Sequence, residues 1–132
     1  MTGVVVGAAL IRDGKVLAAR RTAPPALAGR WEFPGGKVEP DESEPEALIR
    51  ELWEELSLKV RVIELLGRAP LGDGRELALY LSRPTGGCAQ PNVDHDCVRW
   101  LSPAELSSVS WLDADRVLLD IVGEALHGEV GR

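Results

Sequence analysis

The chain has 132 residues, enough for one domain whose core needs neither disulfides nor a structural metal. Its 15 basic and 21 acidic side chains give a net charge of −6, which argues against the basic field of a duplex-nucleic-acid or anionic-membrane binder. At 45% hydrophobic and 27% charged, the composition is that of a folded globular chain rather than a disordered one.

In chain order, the β-branched run Val4 to Ile11 is followed by Asp13-Gly14 and then by Lys15 to Arg20, the pattern of a β-hairpin. The opening run has no basic segment before it and is too short to span a bilayer, so no targeting segment is expected. A loop rich in proline and glycine, Thr22 to Gly36, leads to a helix whose start is marked by Ser43 and Glu46, a capping box. Leu48, Leu52 and Leu56 give that helix, 43–56, an apolar stripe. Val60 to Leu71, Asp73-Gly74 and Glu76 to Leu81 form a second candidate hairpin. Val98 to Leu101 reads as a short strand and Asp113 to Leu126 as an amphipathic helix. Hairpins and helices around one sheet predict a single α/β domain with mixed strand directions, covering 1–132. Cys88 and Cys97 form no metal-binding pattern, and a reducing cytoplasm is the expected compartment.

The acidity is local. Residues 39–55 hold eight acids (Glu39, Asp41, Glu42, Glu44, Glu46, Glu51, Glu54 and Glu55) against one base, Arg50, so this window carries −7 and the other 115 residues sum to +1. Glu51, Glu54 and Glu55 stand at i, i+3 and i+4, on one face of the helix, where like charges repel. Hard oxygen ligands at such spacing suit Mg²⁺ or Mn²⁺, and a solvated helix face is the plain alternative. Just upstream, Pro34-Gly35-Gly36 lets the backbone approach a ligand closely.

Gly36, five residues, Glu42, seven residues, and then Arg50-Glu51-Leu52-Trp53-Glu54-Glu55-Leu56-Ser57-Leu58 resemble the Nudix box, over residues 36–58. Eight of nine defining positions match. The exception is Ser57, where the family has a glycine that supports a left-handed helix end. Arg20-Arg21, the stretch Gly29 to Lys37, Trp100 and Asp113-Ala114-Asp115 extend the resemblance to MutT-type nucleoside triphosphate pyrophosphohydrolases over nearly the whole chain. The resemblance implies a Nudix α/β/α sandwich and Mg²⁺-dependent hydrolysis of a nucleoside triphosphate to monophosphate and pyrophosphate, with Mn²⁺ as a substitute ion. It implies a nucleotide partner, neither duplex nucleic acid nor membrane, and a monomer or weak homodimer.

By match to the box, the metal set is Glu51, Glu54 and Glu55, joined by a carbonyl of Gly35 or Gly36, with Glu51 open to the role of base instead. Glu42 and Arg50 are implied to orient the ligands. Asp94 is assigned either to the metal-bound water or to a turn in Pro91-Asn92-Val93-Asp94. Arg21 is expected on substrate phosphate. Glu32, Phe33 and Gly35 are expected to line the substrate site, with Phe33 open to a core role and Arg75 open to a surface one. Asp115 stands where MutT enzymes that clear oxidised guanine carry asparagine. An ionised aspartate offers acceptors only and so suits an exocyclic amine. This points to CTP, dCTP and 5-substituted cytosine nucleotides, with 8-oxo-dGTP or oxidised nucleotides in general as the alternative. A dipole role for Asp115 in the 113–126 helix and a non-catalytic nucleotide sensor are the plainer readings.

Overall fold

The structure, a computed structural model, describes residues 3–89 and 95–130. Its seven strands form one mixed sheet with helices on both faces, the expected α/β/α sandwich. The strands are β1 (Val4–Arg12), β2 (Lys15–Arg21), β3 (Trp31–Glu32), β4 (Gly35–Lys37), β5 (Leu58–Pro70), β6 (Glu76–Gly87) and β7 (His95–Leu101). The helices are α1 (Glu44–Leu56), α2 (Asp113–Val117) and α3 (Leu119–Val130), with short 3-10 helices at Pro25–Leu27 and Pro103–Ser108. Among the described residues no helix is long and apolar enough to cross a membrane.

β1 is the central strand and reads as a continuous apolar run because both of its faces are covered. Ala9 and Ile11 join the core beneath α2 and α3, with Val16, Leu79, Trp111, Val122 and Leu126. Val6, Ala8 and Leu10 join the opposite core with Leu48, Leu52 and Leu56 of α1. Each of those three leucines is fully buried and contributes about 1.5–3 kcal/mol of transfer free energy. Ser43 caps α1 as its sequence requires: Ser43 Oγ accepts from the Glu46 N–H at 3.1 Å, and Glu46 Oε1 accepts from the Ser43 N–H at 2.8 Å.

Asp13 and Gly14 both adopt positive φ, 54° and 75°, and turn β1 into β2. The strands then part after Ile11↔Val16 and Arg12↔Lys15, so the expected first hairpin exists only at its turn. Beyond it, β1 pairs in parallel with β6 from Val4↔Glu76 to Leu10↔Ser82, whereas β2 pairs with β7 and β3. The gap opened between β1 and β2 admits β4, which pairs with β1 at Gly7↔Gly35 and Val6↔Gly36, and Pro34, whose carbonyl accepts from the Ala8 N–H at 2.8 Å. A Cβ on Gly35 would collide with the Val6 carbonyl, so glycine is required for this approach.

The second hairpin forms, with both strands longer than expected. β5 and β6 pair from Leu58↔Gly87 to Pro70↔Glu76. The expected strand at 98–101 likewise begins earlier, at His95. The expected continuous helix 113–126 is broken at Leu118, with φ −96° and ψ 2°. Leu118 is buried and packs beside Gly67 of β5, while α2 on one side and α3 on the other are fixed by different contacts.

Candidate active site

One cavity of about 760 Å³ runs along the gap between β1 and β2. Glu55 of α1 and the backbone of Gly35 and Gly36 form one end. Arg21, Arg30, Glu32, Phe33 and Asp115 line the rest, together with Leu71, Asp73 and Arg75 at the tip of the β5–β6 hairpin. The sequence-predicted residues Arg21, Glu32, Phe33, Gly35, Gly36, Glu55, Arg75 and Asp115 therefore share one wall system, although 94 positions separate the first from the last. Asp94 lies outside the described residues.

The acidic end is organised by Arg50. Its Nε and Nη2 donate to the two carboxylate oxygens of Glu42, at 2.7 and 2.9 Å, and Nη2 also donates to the Lys37 carbonyl at 3.0 Å. Nη1 donates to Glu51 Oε1 at 2.8 Å and to Glu54 Oε1 at 2.9 Å. The guanidinium has five N–H donors and makes five hydrogen bonds, so its plane is fixed. Arg50 and the Glu39 N–H hold the Glu42 carboxyl down to about 2, and the Glu42, Glu51 and Glu54 carboxylates raise Arg50 above its ordinary value. Arg50 thus ties Glu42, on the loop before α1, to Glu51 and Glu54 on the helix.

Three glutamates on adjacent turns offer hard oxygen ligands for a divalent cation. As the side chains stand, no such group converges among the described residues, because Nη1 of Arg50 sits between Glu51 and Glu54. The space for convergence exists. A Cβ on Gly36 would run into the Glu51 carboxylate, so the bare glycine leaves the room in which that group turns, and Glu55 Oε2 is buried beside it. The donor chemistry and the glycine cradle fit a divalent ion.

At the other end, Arg21 Nη1 pairs with both Glu32 oxygens at 3.0 and 3.2 Å, and its Nε donates to the Ala23 carbonyl at 2.9 Å. Phe33 takes the core role: it is 3% exposed and its ring lies 4.6 Å from that of Trp111. A ring so covered leaves its backbone N–H as its main offering to the cavity, and that group donates to Asp115 Oδ2 at 2.9 Å. Asp115 therefore links the first turn of α2 to the β3–β4 loop. Burial pushes its carboxyl up to about 7; the Phe33 N–H and the Arg21 guanidinium lower it, and the Glu32 carboxylate raises it. Burial thus brings both the ionised and the protonated form of Asp115 within reach near neutral pH. Arg75 is paired with Asp73 at 2.8 Å on the hairpin tip.

Sequence reasoning missed Arg30 as a separate wall residue. Its Nη2 donates to the Trp111 carbonyl and reaches Asp113 Oδ1 at 3.4 Å. No local pattern carries a contact across more than 80 residues.

The chain is similar to known proteins in sequence and in fold. The NUDIX domain model matches residues 1–123. A Mycobacterium tuberculosis protein provisionally named 8-oxo-dGTP diphosphatase 2 is 41% identical over 130 residues, covering 95% of this chain and 91% of that protein. The CTP pyrophosphohydrolase of Escherichia coli is 41% identical over 119 residues, covering 88% and 87%. Among solved structures, a MutT NUDIX hydrolase from Burkholderia pseudomallei superposes with a TM-score of 0.81 at 29% identity, covering 92% of this chain and 98% of that one. The E. coli ORF135 protein gives 0.77 at 36%, covering 99% and 93%. With the box acids gathered on α1, the glycines wedged against β1 and these likenesses along nearly its full length, the chain belongs to the Nudix family and is a pyrophosphohydrolase acting on nucleotides.

Proposed function

We propose that the chain is a nucleoside triphosphate pyrophosphohydrolase that uses Mg²⁺, with Mn²⁺ as a substitute, and prefers CTP, dCTP and 5-substituted cytosine nucleotides. Clearing such nucleotides from the precursor pool is the proposed role, in the cytoplasm, where free thiols such as Cys88 and Cys97 persist. The working form is a monomer or weak homodimer.

Glu51, Glu54 and Glu55 hold the ion, with a carbonyl of Gly35 or Gly36. When bound, the cation neutralises phosphate charge and makes a water more acidic. Arg50 releases Glu51 and Glu54 from its Nη1 as they turn inward, and keeps Glu42 as its anchor. A carboxylate of this set, Glu51 or Glu54, accepts the proton of the attacking water. Arg21 exchanges Glu32 for a substrate phosphate, and Arg75 does the same with Asp73 at the hairpin tip. The water adds to an internal phosphorus, and pyrophosphate leaves from the monophosphate.

The base preference rests on one observation: the Asp115 carboxylate lies in the cavity wall with Oδ2 tied to the Phe33 N–H. Ionised, it accepts and does not donate, which selects an exocyclic amine such as cytosine N4. Protonated, it gains an O–H donor, which suits an oxidised guanine. This second reading is favoured by the name of the M. tuberculosis relative. A panel of CTP, dCTP, 5-methyl-dCTP, dGTP and 8-oxo-dGTP with Mg²⁺, separating pyrophosphate from orthophosphate, tests both. The expected result is pyrophosphate release, fastest from the cytosine nucleotides. Turnover of 8-oxo-dGTP alone reverses the base assignment, and turnover of no triphosphate overturns the whole reading.

A further inference from the structure

We infer that Arg30 is a positioning residue for base selection: it fastens the segment 110–113 to the cavity wall and so fixes where the Asp115 carboxylate stands. The inference rests on the base-reading role proposed for Asp115. α2 has five residues, too short to persist on its own hydrogen bonds. It nevertheless carries a carboxylate that is 4% exposed, a group costly to keep out of water. Its placement must come from outside the helix.

The buried Trp111 side chain anchors the segment in the core, its ring against Phe33 and its Nε1 donating to the Leu106 carbonyl. Three further polar attachments set its register on the wall. The Trp31 N–H donates to the Ser110 carbonyl and the Leu112 N–H to the Trp31 carbonyl, each at 2.8 Å, so the segment docks along β3. The Phe33 N–H holds Asp115 Oδ2. The third is the Arg30 side chain, with Nη2 on the Trp111 carbonyl and 3.4 Å from Asp113 Oδ1, and Nε 3.4 Å from the Ser110 carbonyl. The first two belong to the main chain and to Asp115 itself. Arg30 adds a polar side-chain link between the two walls that is separate from Asp115 itself, and it also lines the cavity. Arg116 Nη2 reaches the same Trp111 carbonyl at 3.2 Å, but Arg116 is part of α2 and cannot tie that helix to β3. The charged groups facing the clamp are Asp113, Arg116 and, further along the cavity, Arg21 with Glu32.

Steady-state kinetics on Arg30→Met, Arg30→Lys and Asp115→Asn test this, with CTP and dGTP as substrates and urea unfolding as the check on the fold. Arg30→Met keeps the stem and removes the donors. It is expected to raise KM for CTP roughly tenfold and to narrow the CTP-over-dGTP ratio of kcat/KM several-fold, while kcat moves by less than about twofold. Arg30→Lys, with one ammonium in place of the fork, is expected to recover part of that ratio. If Asp115→Asn erodes the ratio and folded Arg30→Met leaves it intact, the inference fails and the reading of Asp115 stands. If Asp115→Asn leaves the ratio intact, that reading fails and takes the inference with it. An equal fall in kcat for both nucleotides at unchanged KM also overturns it. Should Arg30→Met not fold, a wild-type ratio in Arg30→Lys counts against the inference, and a ratio between those of wild type and Asp115→Asn supports it.

Discussion

Asp115 is buried, with Phe33 as its hydrogen-bond donor and the Glu32 and Arg21 charges near it, and burial fixes the direction of its pH dependence. Its folded value of about 7 lies above the ordinary 3.8, so the native state binds the proton more tightly than the unfolded chain does. The resulting stabilisation is fully present below about pH 4 and is lost as pH rises through 7. Asp115→Asn, which keeps an acceptor for the Phe33 N–H and cannot ionise, is expected to gain stability relative to wild type between pH 5 and 8 in urea unfolding. A margin independent of pH would place the raised value elsewhere. The same titration sets a kinetic expectation: the preference of the wild-type protein for CTP over dGTP grows from pH 6 to pH 8, as the carboxyl turns from donor to acceptor. The resemblance made Asp115 legible as a candidate specificity residue. Its burial was not legible, because burial is a property of the packed core.

At the scale of elements, α1 ends on Ser57 in the left-handed region, with φ 57° and ψ 33°, and its N–H caps Leu52 and Trp53. The departure from glycine seen in the sequence therefore leaves the turn in place and puts a side chain in a backbone conformation that costs an L-residue about 1–2 kcal/mol. Ser57→Gly is expected to stabilise the fold by about 1 kcal/mol in urea unfolding, less than the full cost because glycine loses more entropy on folding. A destabilised variant would mean that the serine side chain contributes more than its strain removes. The helix itself was readable residue by residue, since its cap, its leucine stripe and its acidic face are local signals with fixed spacing. The first hairpin was readable only at Asp13-Gly14. Beyond the turn, the choice of β6, β4, β7 and β3 as partners depends on strands distant in sequence, which no period along β1 or β2 encodes. The break at Leu118 was invisible for the same reason.

For the molecule as a whole, a window of −7 lies on one helix and the loop before it, and its one base, Arg50, already donates to three carboxylates. Repulsion within this cluster makes the metal-free protein less stable than its core warrants, and a cation that binds only the folded arrangement stabilises it by linkage. Mg²⁺ at millimolar concentration is expected to raise the unfolding midpoint well beyond the effect of NaCl at equal ionic strength. Glu55→Gln is expected to lose most of that shift, together with kcat by a factor of roughly 10²–10⁴. A Mg²⁺ shift that NaCl reproduces, or that survives in Glu55→Gln, would leave the acids as a screened surface patch.

The sequence by itself determined the acidic face of α1 and, through its resemblance to the Nudix box, the reaction class it implies, because the box acids, Arg50 and the Gly35-Gly36 turn lie within one helix and the loop before it. Short spacing fixes their geometry on any such helix. The tertiary structure alone decided how Arg21, Arg30, Phe33 and Asp115 meet, since their contacts span about 10 to more than 80 positions and form only after β1 and β2 part. Local spacing carries chemistry along the chain. Burial, protonation and the shape of the base site arise from packing across it.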